Sequence, residues 1–202
     1  MERELTGFVL AGGASHRMGR DKAWLPVGSG SLIELVIDRL SPHVDQVIVI
    51  GREHDALRLL ELEVAGVLTD LKPGEGPLMG VYTGLMHTET EWNLFVPCDM
   101  PWIQARLIER LISASWEGCQ VVTSRHPSEG IQPFPLLCRR QACRTIGALL
   151  DRRERSLQAL VSHRRAHVEC IQEPELWRSF TNVNTLADYA SLADELSYAS
   201  RS

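Results

Sequence analysis

A glycine-rich segment at residues 10–27, LAGGASHRMGRDKAWLPV, contains the residue types best suited to bind an anion. Gly12 and Gly13 lack side chains, so the backbone can approach a phosphate closely and offer it N–H groups. Arg17 and Lys22 add positive charge a few residues later. We predict a phosphate-binding loop here, although two glycines after a strand are by themselves also compatible with an ordinary tight turn.

Asp99 is a candidate metal ligand, because it follows the apolar run WNLFVPC and precedes a segment that contains a proline. Mg²⁺ is a hard cation, held typically by one or two carboxylates together with phosphate oxygens and water, so one aspartate at the end of a strand can suffice. We predict that Asp99 binds Mg²⁺. The alternative is that its side chain caps the following helix.

Two further segments have residues suited to a nucleotide site. The loop DLKPGEGPLMG, residues 70–80, is rich in glycine and proline and either presents backbone polar groups to a base or simply connects two elements. Asn182 and Asn184 precede the last predicted helix, where either amide could cap the helix or reach toward a metal and an acceptor phosphate.

Short apolar runs alternate with helical patterns in the first half of the chain, which predicts parallel strands joined by crossover helices. The predicted strands are residues 7–11, 44–51, 66–70 and 92–99, and the predicted helices are residues 31–40, 54–63 and 81–89. We expect an α/β fold with a single doubly wound, mostly parallel, Rossmann-like sheet and helices on both faces. In such a sheet, the glycine-rich segment and Asp99 would face the same crevice.

The second half continues this pattern less regularly. We predict a helix over residues 101–115 that opens at Pro101, a strand at 119–124, and a surface loop at 125–135, where prolines and polar residues interrupt the pattern. The remaining predicted elements are strands at 136–139 and 166–171 and helices at 141–150, at 156–163 and from 185 onward. Too little chain follows the loop for a second core, so we expect residues 1–202 to form a single domain.

Composition and charge disfavour several classes of protein. The 202 residues are 44% hydrophobic, and their net charge of -5 is spread along the chain, which disfavours a nucleic-acid partner. The five cysteines form no CxxC pair, and no run of about 18 apolar residues occurs. We expect a cytoplasmic protein with reduced thiols and no membrane partner. The basic stretch at residues 152–165 either binds an anion or forms a solvated helix face.

Common catalytic motifs do not account for the glycine-rich segment. It matches neither GxxxxGK[ST] nor GxGxxG, which disfavours a P-loop kinase and a dinucleotide-dependent dehydrogenase. No serine or cysteine lies in a recognisable nucleophile elbow, and the histidines lack metal-ligand spacing.

The stretch LAGGASHRMGRDKA closely resembles the signature LAGGxSxRMGxDK of molybdenum cofactor guanylyltransferases and of related nucleotide-sugar pyrophosphorylase-like transferases. DLKPGEGPLMG, VPCDMP and NVNT resemble further family segments in the same order, across nearly the whole chain. With this resemblance, the expected nucleotide-binding residues are Leu10, Ala11, Gly12, Gly13, Lys22, Asp70 and Asp99. The expected catalytic residues are Lys22, Arg17 and Asp99, and Asn184 is expected in the active site.

The resemblance implies an enzyme that transfers GMP from GTP to the terminal phosphate of molybdopterin or the molybdenum cofactor, with Mg²⁺ as cofactor and release of pyrophosphate. A phosphate monoester is largely dianionic at pH 7, so such a reaction needs alignment and charge neutralisation but no general base. The segment GIQPFPLLCRR, residues 130–140, resembles the corresponding part of the family only loosely. We expect a monomer, with cofactor-delivery proteins as further partners that the resemblance allows.

Three alternatives are kept open. The first is a transferase with another substrate, either CTP with the same pterin or a nucleoside triphosphate with a sugar phosphate. The second is a non-catalytic nucleotide-binding regulator, against which the presence of both Lys22 and Asp99 argues. The third is a flavodoxin-like module, which would need a flavin or an acidic pocket that can be phosphorylated.

Overall fold

The computed structural model describes residues 4–12, 21–115, 118–163 and 165–199. The strands are β1 (Leu5–Leu10), β2 (Pro26–Val27), β3 (Gly30–Ser31), β4 (Gln46–Gly51), β5 (Gly66–Thr69), β6 (Trp92–Pro97), β7 (Val121–His126), β8 (Gly130–Arg139) and β9 (Ala166–Cys170). The helices are α1 (Leu32–Leu40), α2 (Ala56–Leu59), α3 (Pro77–His87), α4 (Ala105–Ser113), α5 (Ala142–Asp151), α6 (Leu157–Val161), α7 (Pro174–Trp177) and α8 (Leu186–Ala199). None of the helices in these ranges is both long and apolar enough to cross a bilayer.

Seven of the described strands form one sheet in the order β5-β4-β1-β6-β8-β7-β9. Strand β8 runs antiparallel to its neighbours β6 and β7, and the other neighbouring strands in this sheet are parallel. Strands β2 and β3 form a separate antiparallel pair. This arrangement confirms the predicted mostly parallel sheet.

Helices cover both faces of the sheet. Successive side chains of a strand point to opposite faces, so apolar strands form one hydrophobic cluster on each face for helices to pack against. Val9 of β1 and Val96 of β6 pack in one cluster with α1 and α4. Phe8 and Phe95 belong to the opposite cluster, with α3, α5 and α6, and their rings stack with centroids 4.8 Å apart. The predicted doubly wound architecture is therefore confirmed.

Three predicted helices are shorter than expected, and one of them, predicted at residues 156–163, is only the five residues of α6. The helix predicted at residues 54–63 is a short 3₁₀ segment, Glu53–Asp55, followed by the four residues of α2. Leu59 and Leu62 are both buried, but a hydrogen-bonded turn rather than a helix joins them, so their three-residue spacing misled the prediction. The helix predicted from Pro101 begins only at Ala105, because the preceding apolar residues pack as turns.

The surface loop predicted at residues 125–135 is wrong, because most of this segment belongs to the β7–β8 hairpin. Arg125 pairs with Ile131, and the register shifts between Val122 and Ser124, opposite the part of β8 that contains two prolines. Proline has no N–H to donate to a ladder, so strands accommodate it at irregularities of this kind. At the irregularity, the hydroxyl of Thr123 donates to the carbonyl of Gln132.

Gly84 allows α3 to approach the sheet closely. A Cβ atom added to Gly84 would lie 2.6 Å from Phe95 Cε1, whereas one added to Gly147 of α5 would lie 3.6 Å from Tyr82 Cε2, an ordinary contact. Replacing a helical glycine with alanine gains about 1 kcal/mol of helix propensity, and overpacking a core costs roughly 1–3 kcal/mol.

We therefore expect Gly84→Ala to lower the free energy of unfolding by roughly 1 kcal/mol, because the overpacking outweighs the propensity. The control Gly147→Ala should raise it by about 0.5–1 kcal/mol. Urea denaturation of both variants and the wild type measures these changes. Equal stability of the two variants would contradict the close packing of α3 on β6.

Candidate active site

Three of the segments singled out in the sequence, those with Gly12, Asp70 and Asp99, emerge from one edge of the sheet, where the carboxyl ends of β1, β4, β5 and β6 lie. Backbone hydrogen bonds continue the sheet past the strand ends. The N–H of Cys98 donates to the carbonyl of Leu10 at 3.0 Å, and the N–H of Asp70 donates to the carbonyl of Gly51 at 3.0 Å. Asp99 and Asp70 therefore both begin loops at this edge, which is the usual ligand-binding edge of an open α/β sheet.

The start of the glycine-rich segment leaves β1 at the same edge. Leu10 is half-buried, Ala11 is buried and Gly12 is exposed. Among the described residues, and apart from the chain neighbours of Gly12, no heavy atom lies within 4 Å of the position that a Cβ atom on Gly12 would take. Gly13 and Arg17, which the sequence also predicted in the site, lie outside the described residues.

Lys22 brings together residues that are far apart in the sequence. Its Nζ lies 3.4 Å from Asp99 Oδ2 and donates to Asn184 Oδ1 at 2.8 Å. Asp21 fixes the start of the 3₁₀ segment Lys22–Trp24 by accepting from the N–H of Ala23 at 3.2 Å. The predicted grouping of Lys22, Asp99 and Asn184 is therefore present in the structure.

The carboxylate of Asp99 is largely buried and lies beside one cation, the ammonium group of Lys22. Burial raises the pKa of its carboxyl group, and the positive charge and hydrogen bond of Lys22 counteract part of that rise. Asp99 does not cap the next helix, since α4 begins six residues later with Gln104 at its N-cap. The capping alternative is thus wrong, and the carboxylate is available at the site.

Asn184 is also free of a capping role. Thr185 and Asp188 form a reciprocal cap at the start of α8: Asp188 Oδ2 accepts from the N–H of Thr185 at 2.8 Å, and Thr185 Oγ1 accepts from the N–H of Asp188 at 3.1 Å. Asp188 Oδ2 also accepts from the N–H of Asn184 at 2.9 Å, and these bonds lower the pKa of Asp188. The T-x-x-D pattern that encodes this cap was readable in the sequence and was missed.

Helix α8 is fastened to both segments that carry site residues. The hydroxyl of Tyr189 donates at 2.5 Å to the carbonyl of Pro26, which follows Lys22 in the sequence. Glu195 accepts a hydrogen bond at 3.0 Å from Nε1 of Trp102, which follows Asp99 in the sequence, and it also pairs with Arg178. The backbone N–H of Val183 donates to the carbonyl of Asp99 at 2.8 Å. These bonds hold Asn184 opposite Lys22.

Asp70 lies at the same edge but in a second group of contacts. In the sheet, β4 and β1 lie between its strand, β5, and the strand that precedes Asp99. Asp70 Oδ1 accepts from the hydroxyl of Thr83 at 3.1 Å and from the N–H of Lys72 at 3.4 Å. Burial raises the pKa of Asp70, and these two hydrogen bonds counteract the rise. Sequence reasoning missed Thr83, whose only signal was a hydroxyl within an apolar helical stretch.

The reciprocal cap at Thr185 should stabilise the segment that carries Asn184. We expect Thr185→Ala to lower the free energy of unfolding by about 1 kcal/mol, because the N–H of Asp188 loses its side-chain acceptor. Ser191→Ala, in the middle of α8 and exposed, is the matched control and should be neutral or slightly stabilising. Chemical denaturation compares the two, and equal effects would contradict the cap.

Comparison with known proteins identifies the family. Residues 7–168 match the model of the MobA-like NTP transferase domain. The chain is 31% identical over 184 residues to a molybdenum cofactor guanylyltransferase from Vibrio campbellii, covering 90% of this chain and 91% of the relative. It is 29% identical over 187 residues to a probable molybdenum cofactor guanylyltransferase from a Geobacillus species, covering 90% and 94%.

The fold also matches a solved structure, that of molybdopterin-guanine dinucleotide biosynthesis protein A from Archaeoglobus fulgidus. The TM-score is 0.80 at 21% identity, over 96% of this chain and 99% of the other. The likeness in sequence, the matching fold and the grouping of Lys22 with Asp99 agree with the resemblance found in the glycine-rich segment. The chain belongs to the MobA-like NTP transferase family.

Proposed function

We propose that this nucleotidyltransferase transfers GMP from GTP to the terminal phosphate of molybdopterin or the molybdenum cofactor and releases pyrophosphate. The observation that carries the proposal is the contact of Lys22 Nζ with both Asp99 and Asn184, at the sheet edge where β1 leads into Gly12. The donor and acceptor follow from the names of relatives that align with 90% of the chain.

The proposed reaction is a displacement at phosphorus. A phosphate oxygen of the acceptor bonds to the α-phosphorus of GTP, the bond from that phosphorus to the bridging oxygen breaks, and pyrophosphate leaves. Because the attacking phosphate is already largely dianionic at pH 7, no side chain has to remove a proton. The protein acts by aligning the two substrates and neutralising their charge.

The residues of the site divide this work. The backbone from Leu10 to Gly12 approaches the phosphates, and the ammonium group of Lys22 offers them positive charge. We assign Gly13 and Arg17 to the same phosphate-binding segment, from the sequence. Asp70 is suited to accept the two adjacent N–H donors of guanine, on N1 and N2.

Asp99 is the residue that would hold Mg²⁺. Asp99 Oδ2 and Asn184 Oδ1 already converge on a cation, Lys22 Nζ, and such hard oxygens are the ligands that Mg²⁺ prefers. Among the described residues, no group of three or more His, Cys, Asp or Glu side chains could hold a metal, so the ion would depend on one or two protein oxygens and on the phosphates. When bound, the ion neutralises charge on the transferring phosphate.

We also propose that residues 1–202 form a single catalytic domain that acts in the cytoplasm as a monomer, without a nucleic-acid or membrane partner. The contacts of α8 with Pro26 and Trp102 support the single domain, since they join the last helix to the first half of the chain. Cofactor-delivery proteins would then be transient partners.

The donor and acceptor can be identified by measuring pyrophosphate release with Mg²⁺ and each of GTP, CTP, ATP and UTP, with and without molybdopterin. We expect release only with GTP and only when the pterin is present. Preference for CTP would retain the mechanism but change the product. Silence with every donor would overturn the proposed reaction.

The role of Asp99 is tested by Asp99→Asn, which keeps the shape of the side chain and removes its charge. We expect a loss of roughly 100-fold or more in kcat, because the site loses its carboxylate for Mg²⁺. Asp38→Asn, at an exposed position of α1, is the matched control and should retain the wild-type rate. A kcat for Asp99→Asn within a few-fold of wild type, with the same dependence on Mg²⁺, would exclude Asp99 as the metal ligand.

A further inference from the structure

Thr83 places a hydroxyl group in the apolar interior directly beside Asp70. The residue is fully buried, with 0% of its surface exposed, and its neighbours Val81 and Leu85 in α3 are core residues. A buried hydroxyl costs free energy unless it forms hydrogen bonds. The polar atoms within reach of Thr83 Oγ1 therefore indicate what the hydroxyl does.

Within the part of the chain that the structure describes, three polar atoms contact Thr83 Oγ1. The N–H of Leu71 donates to it at 3.2 Å, Asp70 Oδ1 lies at 3.1 Å, and the carbonyl oxygen of Met79 lies at 3.0 Å. A hydroxyl has one proton, which it can give either to Asp70 or to Met79. An ionised carboxylate is a stronger acceptor than a backbone carbonyl, so the bond to Asp70 is favoured while that carboxylate is charged.

Thr83 thereby holds two consecutive residues at the end of β5. It accepts from the backbone of Leu71 and donates to the side chain of Asp70, which fixes both the path of the chain and the direction of the carboxylate. A second donor to this carboxylate, the backbone N–H of Lys72, lies 3.4 Å from Asp70 Oδ1, and this hydrogen bond is correspondingly weaker. Of these two hydrogen bonds to Asp70, the one from the hydroxyl of Thr83 is therefore the shorter.

We propose that Thr83 is a positioning residue for the donor nucleotide: it orients the Asp70 carboxylate toward the base and so sets the discrimination between guanine and adenine nucleotides. The inference rests on the proposed function, in which Asp70 binds guanine. Guanine presents N–H donors on N1 and N2, whereas adenine presents an acceptor at N1. A fixed carboxylate binds the two N–H donors of guanine and repels the lone pair on N1 of adenine. A carboxylate that can turn away discriminates less between the two bases.

The protonation of Asp70 gives a second readout of the same contact. Burial raises the pKa of this carboxyl group, and the hydroxyl bond from Thr83 opposes the rise. Removing the hydroxyl should therefore raise the pKa further. Because guanine needs the ionised form, the loss of GTP affinity on acidification should begin at a higher pH in the variant than in the wild type.

The test compares Thr83→Val, which replaces the hydroxyl with a methyl group, with Thr83→Ser, which keeps the hydroxyl. Calorimetry with Mg²⁺ and each of GTP, ITP and ATP measures Kd, and steady-state kinetics separates KM from kcat. We expect Thr83→Val to weaken GTP binding about tenfold. The binding of ITP should weaken less, because its base lacks the N2 donor. The Kd of ATP and the value of kcat should stay nearly unchanged. Thr83→Ser should restore the wild-type preference.

Two further measurements separate positioning from a purely structural role. In an Asp70→Asn background, Thr83→Val should cause no additional loss of GTP affinity, because the residue acts through the carboxylate. A carboxyl-carbon NMR titration of Asp70, made without nucleotide, should show a higher pKa in Thr83→Val than in the wild type and in Thr83→Ser. If Thr83→Val does not fold, Thr83→Cys, with a similar shape and a weaker donor, replaces it and should lose affinity in the same direction.

The outcomes distinguish this inference from the proposed function. A wild type that binds GTP no more tightly than ATP would overturn the proposed donor, and with it the role of Thr83 in discrimination. A wild type that prefers GTP, together with a folded Thr83→Val that keeps this preference, would overturn the positioning role alone. An unchanged titration of Asp70 in Thr83→Val would show that the hydroxyl donates its proton only to the carbonyl of Met79, which also overturns the positioning role.

Discussion

The active-site edge depends on three distant segments of the chain that meet where Lys22 contacts Asp99 and Asn184. Asp99 and Asn184 lie 77 and 162 positions after Lys22 in the chain, so the contact forms only when the sheet and the last helix are both in place. The side chains of Lys22 and Asp99 are only 15% and 22% exposed, and the cost of removing a largely buried ion pair from water offsets much of its Coulombic attraction. The neighbouring scaffold, rather than the ion pair itself, must therefore hold the geometry.

The same edge carries two groups of contacts that suit two parts of one ligand. Lys22 and Asp99 bring opposite charges together at the edge where β1 leads into Gly12, as expected where phosphates and a cation bind. Asp70, beyond two intervening strands, has its carboxylate fixed by a buried hydroxyl, as expected where a base is read. Helix α3 links the groups, since Thr83 contacts Asp70 and a Cβ on Gly80 would meet the side chain of Leu10 at 3.4 Å.

Local patterns in the sequence predicted the parts of the fold that local chemistry determines. The strands β1, β4, β5 and β6 were predicted because each is an apolar run followed by a turn, and Asp99 was predicted in the site because it follows such a run. The β7–β8 hairpin was missed because Pro133 and Pro135 normally end strands, and only pairing with β7 at an irregularity accommodates them. Thr83 could not be placed, since its partner Asp70 lies outside its helix and no helical period connects the two.

The last helix shows why a match to part of a chain does not delimit its site. Asn184 lies beyond residue 168, where the match to the family model ends, yet its Oδ1 lies closer to Lys22 Nζ than Asp99 Oδ2 does. The backbone of Val183 bonds to Asp99, and Tyr189 bonds to Pro26, so the helix spans the segments on both sides of the ion pair. A displacement of α8 would therefore change the surroundings of Lys22 and Asp99 together.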